Sequence, residues 1–374
     1  MKHLLLGSFF LLFCSYSLAT EETFNIGVIG LTHTHVHWIF ESEKKGDFTI
    51  VGIVEKNRAL AKRYAKQHKF SMNKVYDSMD ALFKAQKVHG VTAFGSIFEH
   101  LSVVEQAAPL GIHVMVEKPL SVNMQDAQKM YSLARKHNIH LLTNYETTWY
   151  PTNHDLYNRV HNAEIGNIRK VIVRDGHKGP KKLDINSEFL DWLLDPDLNG
   201  GGALIDFGCY GANLLTWLMK GTKPLRVTAI TQQLQPENNP KVEDEATIIL
   251  TYAKSQAIIQ GSWNWPIGRK DMEIYGEIGA IYQDNRHDMR VRIAKGYDNY
   301  QEQSFTLPER PKPYDDPFSY FKAVANGSIQ VLPHELSALE NNMIVMEILD
   351  AAKLSAKTGK SVDLLPTMIT KGVP

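Results

Sequence analysis

The sequence predicts an α/β protein of two domains: a Rossmann-type, doubly wound parallel sheet, then an α+β domain built on a mostly antiparallel open sheet. Three observations carry this. As far as Thr143, short apolar runs alternate with amphipathic helical stretches. Beyond Tyr150-Pro151, strand-like runs follow one another at hairpin spacing. The length of 374 residues is also enough for two ordinary domains.

In the first half the expected strands are Phe24–Ile29, Thr49–Glu55, Val91–Gly95, His113–Val116 and His140–Thr143. Between them the helical stretches are Ala59–His68, Ser78–Ala85, Leu101–Leu110 and Met124–His137. Continuous apolar strands separated by amphipathic helices imply a parallel sheet covered on both faces, with right-handed crossovers. The second half opens with a helix after Pro151 and a strand over Ile168–Arg174. Gly200-Gly201-Gly202 then starts an apolar helix that runs to Leu218. Strands are expected at Arg226–Thr231, Ala246–Tyr252, Ala257–Trp263, Met272–Tyr275 and Ala280–Gln283, and a last helix over Asn341–Thr358 ends at Gly359. The division is residues 20–143 and 144–374, preceded by a signal peptide over 1–19.

That signal peptide rests on Lys2, the apolar run Leu4–Phe13 and the small residues Ser17-Leu18-Ala19 ahead of Glu21 and Glu22. The run is too short for an ordinary membrane-spanning helix. Export to a bacterial periplasm is therefore expected. Removing the signal takes Cys14 with it and leaves Cys209 alone, which excludes an intramolecular disulfide and a thiolate metal cluster. Lys+Arg and Asp+Glu both number 41, so the formal charge is zero. That balance argues against a non-specific nucleic-acid binder or a binder of anionic membranes.

The first strand runs into Gly27-Val28-Ile29-Gly30-Leu31-Thr32-His33-Thr34-His35-Val36-His37. A dinucleotide loop uses glycines for its turn, for close approach to pyrophosphate and for helix–strand packing. Gly30 is present, but Thr32 and His35 stand in the second and third positions. Glu55, at the end of the second strand, is placed to accept hydrogen bonds from an adenosine ribose, or else is a solvated strand-end acid.

His113-Val114-Met115-Val116-Glu117-Lys118-Pro119, preceded by His100, is the most specific signal. With Glu164-Ile165-Gly166-Asn167-Ile168, the segment Gly200–Tyr210, and Glu340-Asn341-Asn342 before Leu349-Asp350-Ala351-Ala352, it makes the chain resemble the Gfo/Idh/MocA oxidoreductases, from Phe24 to Asp363. The resemblance implies NAD or NADP as cofactor, with Gly30, Thr32, His33, His35, Glu55, Ser96, His100 and Glu117 as binding residues. Ser96 stands where relatives usually have proline. The resemblance also implies that Lys118 reaches the reacting hydroxyl, its pKa lowered by burial, and that Glu117 orients it. Asp206 and Tyr210 are expected on one helix face, with Tyr210 relaying a proton. An acid at Glu55 favours NAD over NADP, because it repels a 2′-phosphate.

Trp149, Tyr150, Trp263 and Trp265 are candidates for stacking on a sugar; core packing is their alternative role. Alternating histidines in an extended segment project together, so His33 and His35 with Glu117 are an alternative divalent-metal site; loop histidines bonded to backbone, solvent or phosphate are the other reading. Three functions remain open at this point. One is a dehydrogenase acting on a sugar, polyol or glycoside; another is an exported lyase or hydrolase of carbohydrates with a trapped nicotinamide or a metal. The third is a non-catalytic sugar-binding protein. Open sheet faces in relatives often mediate oligomers, so a homo-oligomer is a further expectation.

Overall fold

A computed structural model describes residues 23–183 and 185–364; the signal peptide expected over 1–19 lies outside them. The first six strands are β1 (Phe24–Ile29), β2 (Phe48–Val54), β3 (Val75–Tyr76), β4 (Gly90–Ala93), β5 (His113–Glu117) and β6 (Leu141–Asn144). They form one sheet in the order β3-β2-β1-β4-β5-β6, every pair parallel. The order reverses between β1 and β4, the point at which open α/β sheets bind ligands beyond their carboxyl ends.

Ile26, Val28, Ile53, Val91, Val114 and Val116 are fully buried, as expected of strands with helices on both sides. Two of the helices that cover this sheet start where a polar side chain takes an otherwise unpaired N–H. Asn57 accepts from Ala59 and Leu60 at the start of Arg58–His68, and Asn123 accepts from Asp126 at the start of Met124–Lys136.

The remaining strands are β7 (Ile168–Gly176), β8 (Arg226–Gln232), β9 (Glu245–Thr251), β10 (Gln256–Ser262), β11 (Arg269–Gly276), β12 (Gly279–Gln283), β13 (Asp288–Ala294), β14 (Tyr300–Thr306) and β15 (Val362–Asp363). They form a nine-stranded sheet in the order β14-β13-β12-β11-β7-β10-β9-β8-β15. Only β7–β10 is parallel among the described pairs. The apolar helix Gly208–Leu218 lies against β10 and β7, and the long helix Leu339–Thr358 lies against β8. Gly359 closes that helix in the left-handed region, at φ 67°.

Two findings depart from the sequence pattern. The helix expected after the glycine triplet is broken into Ala203–Asp206 and Gly208–Leu218, with Phe207 between them. In addition, Pro317–Ala325 returns to the first domain: Phe318, Phe321 and Val324 share a core with Phe24, Ile26 and Phe48.

Candidate active site

The site is built where β1, β4 and β5 end and the helix pair after the glycine triplet begins. Strand β5 is buried to its last residue and delivers Glu117 and then Lys118, at a cis Lys118–Pro119 peptide. From the other domain, Gly202 sits so tightly that a Cβ on it would lie 1.8 Å from the Glu243 carbonyl oxygen. The Glu243 carboxylate accepts from Gly202 N at 2.9 Å and Leu204 N at 3.1 Å, capping the short helix that carries Asp206.

Lys118 Nζ donates to Asp206 Oδ1 at 2.5 Å and to the Asp206 carbonyl at 2.9 Å. The break at Phe207 leaves that carbonyl free to accept. Asp206 Oδ2 accepts from Trp263 Nε1 at 2.9 Å, so both carboxylate oxygens are held. Burial pushes the Asp206 pKa up, but Lys118 outweighs it and holds the acid down at about 2.

The sequence reading expected burial to lower the Lys118 pKa. That expectation is corrected: burial does pull it down, but Asp206 overrides burial and raises it. Lys118 is thus a fixed cation and donor, not a free base.

Tyr210 is buried one helical turn on, with Lys118 Nζ 5.0 Å and Lys270 Nζ 4.2 Å from its ring centroid. Burial raises its phenol well above the ordinary value, with Glu146 and Asp175 adding to the effect. Lys270 itself is fixed by Glu146 at 2.5 Å, and Glu146 also accepts from Tyr150 at 2.6 Å. Asp175 is 2% exposed, its Oδ1 is sealed without a partner, and burial raises its pKa strongly. His177 accepts from Gly179 N at 3.0 Å through Nδ1, which leaves Nε2–H as its outward donor.

Lys270, His177, Phe207 and Tyr150 line a cavity of about 540 Å³ that continues over β12 and β13. Sequence reasoning missed Asp175, His177, Lys270 and Glu146. Asp175 and Lys270 are paired only by the β7–β11 register, which no local pattern announces. Of the four aromatic residues expected to stack on a sugar, Trp149 and Trp263 are instead buried with their indole N–H groups used internally, on Asn144 and Asp206. Tyr150 does line the cavity. Trp265 does not line it and sits beside Arg269, whose guanidinium is 5.9 Å from its ring.

The nucleotide side is less open than a glycine-rich loop would be. Four loop amides have protein acceptors: Gly30 N on Val54 O, Leu31 N on Glu55 Oε2, His33 N on Phe94 O and His35 N on His33 Nδ1. The amides of Thr32 and Thr34 have none among the described residues. Glu55 is buried and also accepts from Asn57 N at 2.7 Å, so it braces the loop in addition to facing the strand end. Thr32 Oγ1 accepts from Trp192 Nε1 at 3.0 Å, which brings the second domain over the loop. Ser96 N and Oγ both donate to Glu99.

A cavity of about 210 Å³ opens beyond the ends of β1, β2 and β4, lined by Gly30, Gly95, Ser78, Glu99 and His100. A Cβ on Gly30 would meet Gly95 N at 2.7 Å, and its φ is +79°. His100 binds the Leu120 carbonyl at 3.1 Å through Nδ1 and has an orphaned, buried Nε2. These features fit the adenosine half of a dinucleotide, with the amides of Thr32 and Thr34 as donors for phosphate.

His33, His35 and Glu117 are brought together, with one ligand atom from each within 4.8 Å of the others. His37 is not among them. The segment turns into helix Val36–Glu43, and His37 pairs with His68 at 2.7 Å. Glu117 accepts from Asn144 at 2.8 Å and meets His35 Nδ1 at 2.9 Å. Burial opposes its ionisation, but His35 and His33 hold its pKa at about 2.

Residues 24–145 match the model of the oxidoreductase family with an NAD-binding Rossmann fold, and residues 154–282 match the GFO/IDH/MocA C-terminal domain. The chain belongs to this family. Among curated proteins it is similar to the trans-1,2-dihydrobenzene-1,2-diol dehydrogenase of Xenopus tropicalis, 27% identical over 221 residues, which are 58% of this chain and 61% of that protein. The match thus spans about three fifths of that relative.

Two solved structures share the fold. An aldose–aldose oxidoreductase from Caulobacter crescentus, complexed with glycerol, has TM-score 0.76 and 19% identity, covering 91% of this chain and 100% of that one. An inositol dehydrogenase homologue from Azotobacter vinelandii, complexed with NAD+, has TM-score 0.77 and 16% identity, covering 92% and 98%. No helix among the described residues is long and apolar enough to cross a membrane.

Proposed function

We propose that the protein is an NAD(P)-linked oxidoreductase that oxidises a hydroxyl of a sugar, polyol or glycoside. The observation that carries this reading is the buried Lys118–Asp206 pair, with Lys118 Nζ 6.0 Å from the ring centroid of Phe207, which lines the cavity together with Lys270 and His177. A bound nicotinamide supplies the hydride acceptor. The chain manages the proton. Two Lys118 N–H groups are spent on Asp206, and the third is directed to the substrate oxygen. As the carbonyl forms, Lys118 stays an ammonium and its N–H stabilises the developing alkoxide, so that the hydroxyl proton is released through the cavity to solvent. His177 Nε2–H and Lys270 position neighbouring oxygens, and the Tyr150 and Phe207 rings offer apolar faces to C–H groups.

The test is to incubate purified protein with NAD+ or NADP+ and a panel of sugars, polyols and glycosides, and to follow nicotinamide reduction. Turnover of at least one compound, reduced at least 10²-fold in Lys118→Met, is expected. Stoichiometric bound dinucleotide with glycoside cleavage but no net reduction would shift the assignment to the lyase or hydrolase. The unpartnered acid Asp175 favours that second reading, because cleavage needs a further proton donor.

The same proposal places the mature chain outside the cytoplasm, starting at Thr20, on the strength of the Leu4–Phe13 run and Ser17-Leu18-Ala19. Cofactor would then be retained through turnover instead of exchanged. N-terminal sequencing of protein from its native cell is expected to begin at Thr20; retention of Met1–Ala19 would end the export argument. Assembly as a homo-oligomer through the open face of the nine-stranded sheet completes the proposal, and light scattering checks it.

A further inference from the structure

A second cavity, of about 270 Å³, lies away from Lys118 between helix Pro151–His161, helix Gly208–Leu218 and the segments carrying Arg310 and Glu335. Its walls are aromatic. Tyr157 stacks on Trp217 at 4.4 Å and 17°, while Tyr320 meets Trp149 at 5.4 Å and Tyr314 at 5.9 Å.

Arg310 is the only lysine or arginine lining it, and among the described residues it makes neither a hydrogen bond nor an ion pair. Its guanidinium lies 4.8 Å from the Tyr314 ring centroid. Glu335, the acid of the cavity, is occupied by the Tyr320 hydroxyl at 3.2 Å, and burial raises its pKa. His154 spends Nε2 on the Thr148 carbonyl at 2.8 Å, and burial, helped by Arg310, lowers its pKa to about 3. The hydroxyls of Thr148 and Ser337 at the same wall are sealed without partners.

Glu335 is within Coulombic reach of Arg310 but forms no ion pair with it, and a half-buried guanidinium without a paired acid is costly unless something else pairs with it. Stacked rings around it select a flat, apolar body, and the volume falls below the roughly 300–1,000 Å³ usual for drug-sized ligands. We infer that this cavity is a second binding site, for a one-ring aromatic carboxylate whose carboxylate pairs with Arg310 and whose ring lies among Tyr157, Trp217 and Tyr320. The inference does not rest on the proposed oxidation. It does bear on the active site, because Trp149 is a wall of this cavity and anchors Asn144 at 3.0 Å. Asn144 in turn holds Glu117 at 2.8 Å.

The experiment uses benzoate as probe, with benzylamine as the cationic control, titrated calorimetrically into the full mature protein. Saturable binding of benzoate, absent for benzylamine and at least tenfold weaker in Arg310→Met, is the expected result. Tenfold corresponds to about 1.4 kcal/mol, within what loss of a charge-assisted hydrogen bond removes. No saturable benzoate binding, equal binding of benzylamine, or an unaltered affinity in Arg310→Met overturns the inference. Should Arg310→Met fail to fold, wild-type crystals soaked in benzoate decide it. Density for the carboxylate at the Arg310 guanidinium supports the site; density only elsewhere, or none, rejects it.

Discussion

Lys118 and Asp206, 88 residues apart and on different domains, meet in a buried ion pair with Nζ 2.5 Å from Oδ1. The pair is made possible by a defect: the helix stops at Asp206, so its carbonyl accepts from the same ammonium. Removing one member of such a pair strands a charge away from water, at a cost of about 3–5 kcal/mol. Asp206→Ala strands Lys118 and is expected to fall in that range by urea unfolding. Lys118→Met is milder, because Trp263 Nε1 still bonds Asp206. Both variants should lose oxidation at least 10²-fold. Equal stability of Asp206→Ala and wild type would show that the pair is not formed in solution.

Gly202 offers a backbone test of the same junction. Alanine there puts Cβ 1.8 Å from the Glu243 carbonyl oxygen, against backbone that cannot swing aside. At Gly46, by contrast, φ is +83° and nothing lies within 4 Å of a Cβ. Gly46→Ala should therefore cost only about 1–2 kcal/mol of left-handed strain. Gly202→Ala should be insoluble or show a melting temperature lower by roughly 5–10 °C, since it removes several kcal/mol. Comparable melting curves for the two variants would place the strain elsewhere.

The contrast between these residues shows what the sequence discloses. Strands β1, β2, β4, β5 and β6 are legible because buried parallel strands are written as continuous apolar runs, and Gly359 is legible as a helix stop. Lys118 and Asp206 are legible through motifs. Strand β14 is not: six of its seven residues are exposed, so it carries no alternation. The break at Phe207 is equally hidden, because Ala203–Leu218 is buried throughout and a helix buried all round has no periodicity to interrupt. Asp175 and Lys270 become neighbours only when two strands pair, and register is a tertiary fact.

Stability should depend on pH in a way set by burial. Burial holds His100 and His113 at about 4 and His154 at about 3, below the unfolded 6.5. A lowered folded pKa means that the unfolded chain binds the proton first. Their contribution is therefore complete above pH 6.5 and lost as pH falls towards 4. Glu117 and Asp206, both about 2 in the folded chain, add a second loss below their unfolded 4.5 and 3.8. Lys118 acts oppositely: its folded pKa is raised above 10.5, so its contribution is present at neutral pH and lost only in strong alkali. Urea midpoints are expected to be flat from pH 9 to 7, to decline below about 6.5 and to steepen below about 4.5. A midpoint that rises on acidification from 6.5 to 5 would show that the raised carboxyl of Asp175, which gains stability as pH falls, outweighs these histidines.

The cluster of His33, His35 and Glu117 has the right residues for a divalent cation, yet its hydrogen bonds oppose one. His33 Nδ1 accepts from His35 N at 3.1 Å, so in the neutral ring the proton sits on Nε2 and neither nitrogen offers a free lone pair. Both oxygens of Glu117 are engaged, by His35 and by Asn144. Metal binding would have to displace the His35 amide and turn the His33 ring, which is packed 4.8 Å from Phe189 and 5.7 Å from Trp192. The arrangement instead lets His35 and Asn144 hold Glu117 ionised next to Lys118. Elemental analysis of the purified protein is therefore expected to find zinc, manganese and iron well below one equivalent, and added zinc should leave the melting temperature unchanged. His35→Gln should reduce the ionisation of Glu117 and weaken retention of dinucleotide without changing metal content. One equivalent of metal in the wild type, lost in His35→Gln, would turn the cluster from an anchor for Glu117 into a metal centre.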